Sequence, residues 1–354
     1  KGKGYTPAEE HPGKFHGISP FDVATGEVSE KKKKDTYTDV FGKVMCAEAK
    51  ENPDITAITA AMEDGTGMAR FHSMFPERYF DVGIAEEQAV TFAAGLAAGG
   101  MKPVFAVYSS FLQRAYDQMI HDVALQNLPV MFAVDRAGLV GNDGETHQGI
   151  FDLSYLSSIP NMHIMAPKNK WELSDMIKYA VDFSAPIAIR YPRGEAYDGL
   201  REYRAPIACG KSEWIYRSGQ IALFALGAMV KTAETVHERL KALGYESSLI
   251  NARFAKPLDE DALLSAARHH DLIVTMEENV ISGGMGEQVM RFYEEHNLSV
   301  RVLAIAIPDE YVEHGNVEIL RREVGIDAET ITERAIEAYE ELHAQESGAE
   351  RNDF

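Results

Sequence analysis

Residues 103–135 read PVFAVYSSFLQRAYDQMIHDVALQNLPVMFAVD, in which two short apolar runs enclose a longer segment with helical periodicity. The runs at 103–108 and 129–135 are rich in valine, phenylalanine and alanine, as buried strands are. Residues 111–127 have the length of a helix. A strand, a helix and a second strand in this order are typical of a parallel β-α-β unit. This stretch therefore predicts an α/β protein.

The same alternation continues on both sides of this stretch. Before it lie a predicted strand at 55–60 and a helix that begins at Glu86. After it, strands at 162–166 and 187–191 enclose a predicted helix at 171–182. Because strands alternate with helices, the pattern indicates a sheet of parallel strands.

A break near residues 195–210 separates a second series of elements. Pro192, Gly194 and Gly199 interrupt the first pattern, and apolar runs with helices between them resume at residue 221. We therefore predict fold class α/β, with two parallel-sheet domains. The first 35 residues are rich in glycine, proline and charge, which is typical of a solvated linker.

The acidic composition argues against two classes of partner. The 354 residues carry a formal net charge of −20, which repels nucleic acid and anionic lipid. We therefore predict no nucleic-acid partner and no membrane partner. The two cysteines, Cys46 and Cys209, are far apart and lack metal-ligand spacing, which is typical of a reduced, intracellular protein.

Unusual polar residues follow four of the predicted strands, at the edge where parallel sheets gather their ligands. The first is Glu86, which opens a helix otherwise built largely from small and apolar residues. A glutamate in the first turn often serves only the helix dipole. Burial in such surroundings would instead let the carboxyl group share a proton with a ring nitrogen, which is useful in catalysis.

The longest of these loops, residues 135–149, is too polar and too rich in glycine for a simple connection. It contains His147, the side chain best suited to proton transfer near neutral pH, although a lone surface histidine is the alternative. It also contains Arg136, which with Arg193 in the loop at 190–194 would form a phosphate clamp if both lay in one cleft. No metal-ligand motif is present, so no metal site is predicted in this chain.

Six segments together resemble one enzyme family. They are KGKGY (1–5), FHG (15–17), YFDVGIAE (79–86), residues 108–118, residues 135–149 and RYPRG (190–194). In order along nearly the whole chain, they strongly resemble the 1-deoxy-D-xylulose-5-phosphate synthases, which are transketolase-like thiamine-diphosphate enzymes. The resemblance implies four regions: residues 1–35 as the end of an N-terminal diphosphate-binding domain and linker, a pyrimidine-binding domain at 36–200, a transketolase C-terminal domain at 205–345 and a tail at 346–354.

The resemblance implies a transferase reaction. Pyruvate and D-glyceraldehyde 3-phosphate give 1-deoxy-D-xylulose 5-phosphate and carbon dioxide, the first step of non-mevalonate isoprenoid synthesis. Glu86 matches the glutamate that activates thiamine diphosphate by a hydrogen bond to its aminopyrimidine ring. Asp143 and His147 match polar groups near the donor and acceptor, and they are the expected proton-handling residues.

The other site residues also follow from the resemblance. Tyr5, Met62 and Phe111 match cofactor contacts, and Phe111 matches the aromatic residue that stacks on the aminopyrimidine. The residues that match substrate contacts are Tyr108, Arg136 and Arg193 around the acceptor phosphate, and His16 and Arg114 around the donor and acceptor.

Two departures from the family pattern are visible. Glu87 and Gln88 stand where the family often has glutamine and histidine, and the diphosphate-binding motif, Gly-Asp-Gly followed by Asn, is absent. The resemblance therefore places the Mg²⁺ ligands in an N-terminal domain outside this chain, and we expect the chain to be inactive until that domain is supplied. It also implies a homodimer in a bacterial cytoplasm, with a plastid as the alternative.

Two other hypotheses stay open. The β-subunit of a 2-oxo-acid dehydrogenase has the same two domains and relies on a separate chain for the diphosphate. The loop at 136–149 and the segment at 190–194 fit a phosphorylated acceptor better than a lipoyl-domain partner. The second alternative is a non-enzymatic module that kept the fold, and binding of a substrate phosphate by Arg136 and Arg193 would count against it.

Overall fold

A computed structural model describes residues 2–13, 15, 18, 20–27 and 34–349, with side chains described as far as residue 344. The chain forms two compact units, Lys1–Asp35 and Thr36–Phe354. In the first unit, the short helix α1 (Thr6–Glu10) follows Tyr5, whose ring lies 5.6 Å from that of Phe15 and 5.8 Å from that of Phe21. This small aromatic cluster lies in the segment for which the composition predicted a linker.

The second unit contains the remaining helices. No described helix combines the length and the apolar character that crossing a membrane requires. In chain order the helices are α2 (Tyr37–Glu51), α3 (Ala69–Met74), α4 (Glu86–Ala98), α5 (Ser109–Leu112), α6 (Tyr116–Gln118), α7 (Asp152–Ser157), α8 (Lys170–Val181), α9 (Met229–Ala242), α10 (Glu260–His269), α11 (Met285–Glu295), α12 (Val317–Glu323) and α13 (Ala328–Ala349).

The strands of the second unit form two sheets. In chain order they are β1 (Ile55–Thr59), β2 (Tyr79–Asp81), β3 (Lys102–Tyr108), β4 (Met131–Asp135), β5 (His163–Met165), β6 (Ile187–Tyr191), β7 (Glu213–Tyr216), β8 (Ile221–Ala225), β9 (Ser247–Asn251), β10 (Phe254–Lys256), β11 (Leu272–Val280) and β12 (Arg301–Ile307). The first sheet has the order β10-β5-β6-β4-β3-β1-β2, and the second has the order β12-β11-β8-β9-β7.

The predicted α/β class with two sheets is confirmed, and both sheets are parallel except at one edge. In the first sheet β10 runs antiparallel to β5, and in the second β7 runs antiparallel to β9. Strand β10 comes from beyond the predicted boundary near residue 200. The second half of the chain therefore completes the sheet of the first half, which the alternation of elements did not predict.

The prediction of one continuous helix at 111–127 is wrong. The chain here passes through α5, a 3₁₀ turn at Gln113–Ala115, α6 and a π-helical turn at Met119–Ala124. The N–H of Leu125 donates to the carbonyl of Ile120, five residues earlier, so the last turn is wider than an α-helix. Apolar periodicity indicated a helix but could not distinguish the kind of turn.

The register of the first sheet brings its loops together. Tyr108 at the end of β3 pairs with Asp135 at the end of β4, and Asp135 pairs with Tyr191 at the end of β6. Helices α2 and α8 pack together on one face of this sheet, and α4 with residues 109–124 packs on the other. The loops after these strands therefore lie together at the carboxyl edge of the sheet.

A fully buried group of charged residues links the two halves of the second unit. Lys168 Nζ donates to Glu172 Oε1 at 2.9 Å and to Glu213 Oε2 at 2.7 Å, and Arg253 Nε donates to Glu172 Oε1 at 2.8 Å. Burial raises the pKa of Glu213, but the hydrogen bond and charge of Lys168 outweigh it, so the pKa lies below its ordinary value. We call these four residues the junction network.

Candidate active site

Arg136 forms one side of the candidate site, directly after β4. Its Nη1 donates to the carbonyl of Gly65 at 2.5 Å and to Asp135 Oδ1 at 2.9 Å, and its guanidinium carbon lies 3.9 Å from the centre of the Tyr108 ring. Asp135 also accepts a hydrogen bond from Thr38 Oγ1 at 2.7 Å. Burial raises the pKa of Asp135, and the Arg136 charge opposes that shift. The aspartate and the aromatic ring thus fix the orientation of this cation.

A second arginine, Arg193, lies in the loop after β6. Arg193 Nη1 donates to Asp143 Oδ2 at 3.0 Å, and the two side chains are 41% and 50% exposed. Burial raises the pKa of Tyr108, whereas the charges of Arg136 and Arg193 oppose the rise. The charges of both predicted phosphate-binding arginines thus act on the protonated hydroxyl of Tyr108, and Arg193 remains open to solvent.

Phe111 connects this basic side to His147. The Phe111 ring stacks on Tyr108 at 5.6 Å between centroids and meets the His147 ring edge-on at 5.3 Å. The guanidinium carbon of Arg114 lies 5.8 Å from the centre of the Phe111 ring. An aromatic face between two cations and an imidazole is suited to a flat, electron-poor heterocycle.

Glu86 is buried at the first turn of α4, directly after Ala85. Its Oε2 accepts a hydrogen bond from Arg114 Nη1 at 3.1 Å. The neighbouring loops are joined by Asp81 Oδ1, which accepts hydrogen bonds from the N–H groups of Ala61 and Gly83 at 2.8 and 2.9 Å. This carboxylate keeps the entry to α4 next to the loop that follows β1.

Met62 lies in that loop and is buried. Thr66 Oγ1 donates to the Met62 carbonyl at 2.8 Å, which tightens the turn. A Cβ atom at Gly65 would collide with the hydroxyl of Tyr108, so only glycine lets this loop approach the tyrosine. The loop after β1 thus lies beside the loop after β3, with Met62 three residues from the point of contact.

We call the residues that these contacts place at the carboxyl edge of the first sheet the site cluster: Glu86, Tyr108, Phe111, Arg114, Arg136, Asp143, His147 and Arg193. Besides Met62, two predicted residues are not among them. Tyr5 belongs to the first unit, where its hydroxyl donates to the carbonyl of Val23 at 2.9 Å. His16 lies outside the described residues. Their predicted roles remain predictions.

Two buried polar residues near the site cluster were not predicted from the sequence. Arg190 Nε donates to Asp152 Oδ2 at 2.6 Å, and its Nη2 donates to Asp152 Oδ1 at 3.1 Å and to the carbonyl of Glu278 at 3.2 Å. Gln148, next to His147, is 2% exposed. The position of Arg190 inside an apolar strand was a signal of a buried ion pair, but its partner could not be read from spacing.

The residues present fit the aminopyrimidine half of thiamine diphosphate. The buried Glu86 carboxylate is bonded only to Arg114 among described residues, so a ligand can use its second oxygen, and Phe111 offers a half-buried ring. Within the described part of the chain, no three His, Cys, Asp or Glu residues form a group that could hold a metal ion. The carboxylate and guanidinium groups of the site cluster suit a ring nitrogen and phosphate oxygens.

Comparisons with protein families match both domains of the chain. Residues 33–198 match the transketolase pyrimidine-binding domain, and residues 210–331 match the transketolase C-terminal domain. The site cluster lies within the first of these matches, and β11 and α11 lie within the second.

Curated relatives named 1-deoxy-D-xylulose-5-phosphate synthase are similar along most of the chain. The protein of Lachnoclostridium phytofermentans is 55% identical over 335 residues, which are 94% of this chain and 54% of the relative. The protein of Caldanaerobacter subterraneus subsp. tengcongensis is 50% identical over 97% of this chain and 55% of the relative. The protein of Aquifex aeolicus is 49% identical over 95% of this chain and 53% of the relative. The chain thus spans about half the length of these relatives.

Solved structures share the fold. A chain described as a split gene transketolase, inactive beta4 tetramer, is 26% identical with a TM-score of 0.75, and the match covers 86% of this chain and 98% of that one. The transketolase of Campylobacter jejuni is 17% identical with a TM-score of 0.71, over 93% of this chain and 50% of that one. The second likeness supports the fold alone.

Proposed function

This chain belongs to the 1-deoxy-D-xylulose-5-phosphate synthase family of transketolase-like enzymes, and we propose that it supplies the pyrimidine-binding and acceptor-binding half of such a synthase. The reaction joins pyruvate to D-glyceraldehyde 3-phosphate and releases carbon dioxide, giving 1-deoxy-D-xylulose 5-phosphate. The observation that carries the proposal is the continuity of the site cluster. The buried Glu86 is bonded to Arg114, which lies beside the Phe111 ring, and that ring stacks on Tyr108. Arg136 lies over the Tyr108 ring, and the charge of Arg193 acts on the same tyrosine.

In this proposal Glu86 and Phe111 hold thiamine diphosphate. The cofactor supplies a carbon nucleophile for pyruvate and an electron sink after carbon dioxide is lost. Glu86 accepts a hydrogen bond from the cofactor ring through its free oxygen and so favours the tautomer needed for activation. Phe111 stacks on that ring, and Arg114 holds the Glu86 carboxylate in place through its 3.1 Å hydrogen bond. Met62 and Tyr5 are proposed as further cofactor contacts.

The basic side of the site cluster binds the acceptor. Arg136 and Arg193 neutralise the phosphate of glyceraldehyde 3-phosphate, and the protonated hydroxyl of Tyr108 donates a third hydrogen bond to it. The phosphate would compete with Asp143 for Arg193, because that ion pair is half exposed. Asp143, once released, and His147 move protons at the acceptor carbonyl, and His16 is proposed as another polar contact near the reacting carbons.

The diphosphate and Mg²⁺ sites are proposed to lie in another polypeptide segment, which must be combined with this chain for activity. We propose that a diphosphate-binding domain of the kind that the resemblance implies supplies the metal ligands. The active assembly is proposed to be a homodimer in the bacterial cytoplasm, with a plastid as the alternative. By itself the chain is proposed to be inactive.

The test is reconstitution of activity. The part of the Lachnoclostridium phytofermentans relative that this chain does not match is fused to this chain in one sample and added as a separate chain in another. Formation of 1-deoxy-D-xylulose 5-phosphate from pyruvate and glyceraldehyde 3-phosphate is measured with thiamine diphosphate and Mg²⁺. We expect turnover only when the added half is present.

The control is the same fusion with Glu86→Ala, which should form no product. If neither sample turns over while the relative's own two halves do, the synthase proposal is wrong. The dehydrogenase-subunit and non-enzymatic hypotheses would then take its place.

A further inference from the structure

The loop that carries Asp143 and His147 is held in place by hydrogen bonds to the C-terminal domain. We call residues 137–149 the catalytic loop and residues 312–315, between β12 and α12, the strap. Gln148 Nε2 donates to the carbonyls of Val312 and Glu313 at 3.4 and 3.0 Å, and its Oε1 accepts a hydrogen bond from the N–H of Val140 at 2.7 Å. One buried amide thus closes the catalytic loop on itself and ties it to the strap.

Backbone contacts reinforce the same joint. The N–H of Gly315 donates to the carbonyl of Gly141 at 3.2 Å. Gly141 and Gly144 both have positive φ, and a Cβ atom at Gly141 would lie 2.8 Å from the Gly315 carbonyl oxygen. A Cβ atom at Gly144 would lie 3.2 Å from the Cβ of His314. The strap therefore approaches the catalytic loop so closely that glycine is required on the loop side.

The phosphate side of the site is anchored differently. Arg136 is fixed by Asp135, Gly65 and Tyr108, all within the first domain, and none of these contacts involves the strap. A change at the strap should therefore disturb the proton-handling residues and spare Arg136. Arg193, whose partner Asp143 lies in the catalytic loop, would lose only that half-exposed ion pair and keep its charge for the phosphate.

We propose that Gln148 is a positioning residue through which the strap of the C-terminal domain sets the places of Asp143 and His147. The inference rests on the proposed function and adds a role for the C-terminal domain in it. Gln148 itself touches no reacting atom. It acts by fixing both ends of the turn that presents the two neighbouring side chains, and a displacement of about 1 Å at such a site can cost about 10²-fold in rate.

The experiment compares three variants of the fused, two-half enzyme. Gln148→Met keeps the length of the side chain and removes all three hydrogen bonds. Gly141→Ala leaves Gln148 intact and pushes the strap away. The control Gln126→Met removes a glutamine hydrogen bond to the carbonyl of Asp122 at an exposed position outside the site cluster. We expect the first two variants to lose about 10²-fold in kcat, with the KM for glyceraldehyde 3-phosphate near that of the unsubstituted enzyme.

Two further readouts use this chain alone and do not need turnover. Hydrogen exchange should speed up in the peptides that contain Val140 and Gly315 for both variants, and stay unchanged in a peptide covering residues 108–118. In histidine-labelled protein, the imidazole signal of His147 should shift while that of His72 does not. These readouts separate the inference from the proposed function, since an unsubstituted fusion without activity would defeat only the latter.

The inference is overturned if exchange at Val140 and Gly315 is unchanged in Gln148→Met. It is also overturned if an active fusion keeps its kcat, or loses kcat only in proportion to the fraction unfolded. A parallel rise in the acceptor KM would likewise count against it, because it would mean that the phosphate anchors depend on the strap.

Discussion

The site cluster and the junction network both contain arginine and glutamate, but their charged side chains are paired differently. In the junction network, Lys168 and Arg253 are 1% and 2% exposed and are matched by Glu172 and Glu213. In the site cluster, Arg193 pairs with one carboxylate that is half exposed. The buried cations are already paired with carboxylates and offer no free charge to a ligand. In the exposed pair, a phosphate can replace Asp143 as the partner of Arg193.

This difference separates stability from function. Breaking a buried pair leaves an uncompensated charge away from water and costs about 3–5 kcal/mol. Opening an exposed pair costs little, because water replaces the lost partner. Substitutions in the junction network should therefore change unfolding, and those in the site cluster should change kinetics.

The largest effect is expected at Glu86. Glu86→Gln keeps the shape of the side chain and removes its charge, so proton sharing with the cofactor ring is lost and kcat should fall by about 10²–10⁴-fold. The measurement is steady-state turnover of the two-half enzyme at saturating substrates, with thermal unfolding of the chain alone. A large loss of stability would contradict the distinction between the two groups, because Glu86 would then stabilise the fold as the junction network does. Glu87→Gln, next to it and exposed, is the matched control.

The next effect is expected in the junction network. Glu172→Ala removes a partner of both Lys168 and Arg253 and should lower the free energy of unfolding by about 3–5 kcal/mol. Asp175→Ala on the same helix breaks only the outer pair with Arg204 and should cost about 0–1 kcal/mol. Chemical denaturation measures both. Equal losses for the two variants would show that burial does not set the energy of these pairs.

A smaller effect is expected at the outer arginine. Arg193→Ala should raise the KM for glyceraldehyde 3-phosphate by the value of a hydrogen bond to a charged group, about 1.5–3 kcal/mol or about 10- to 150-fold, with stability unchanged. The unphosphorylated acceptor D-glyceraldehyde is the control substrate. If the variant loses the same factor with both acceptors, Arg193 does not recognise the phosphate.

Tyr108→Phe tests the tyrosine alone. The ring that carries the Arg136 contact remains, and only the hydroxyl is lost, so the acceptor KM should rise by about 1 kcal/mol, or about 5-fold. Saturation kinetics with varied glyceraldehyde 3-phosphate measures it. An unchanged KM would remove Tyr108 from the phosphate contacts while leaving it as the support for Arg136.

The last prediction concerns the pH dependence of stability. The pKa of Glu213 lies below its ordinary value of 4.5, so its ion pairs stabilise the fold above that pH and are lost as the pH falls below it. The difference in unfolding free energy between the unsubstituted chain and Glu213→Gln should therefore be full at pH 6 and shrink below about pH 4.5. A constant difference across this range would show that the pKa of Glu213 is the same in the folded and unfolded states.

The sequence predicted what is local and could not predict what depends on distant partners. Strands such as β3 and β4 were visible because burial on both faces requires continuous apolar runs, and Glu86 and His147 were visible because polar residues followed such runs. The junction network was not visible, since Glu172 and Arg253 are 81 positions apart and each has an ordinary local setting. The joint at Gln148 was missed for the same reason, because its carbonyl partners are 164 and 165 positions away.

Strand β10 has a consequence for how the protein is made. Its residues, Phe254–Lys256, close the outer edge of the first sheet at β5, yet they are synthesised after β7, β8 and β9 of the second sheet. Until they leave the ribosome, β5 presents unpaired backbone groups to other nascent chains, and edges of this kind invite aggregation. The nascent first domain therefore has a vulnerable period that lasts until residue 256 has been translated.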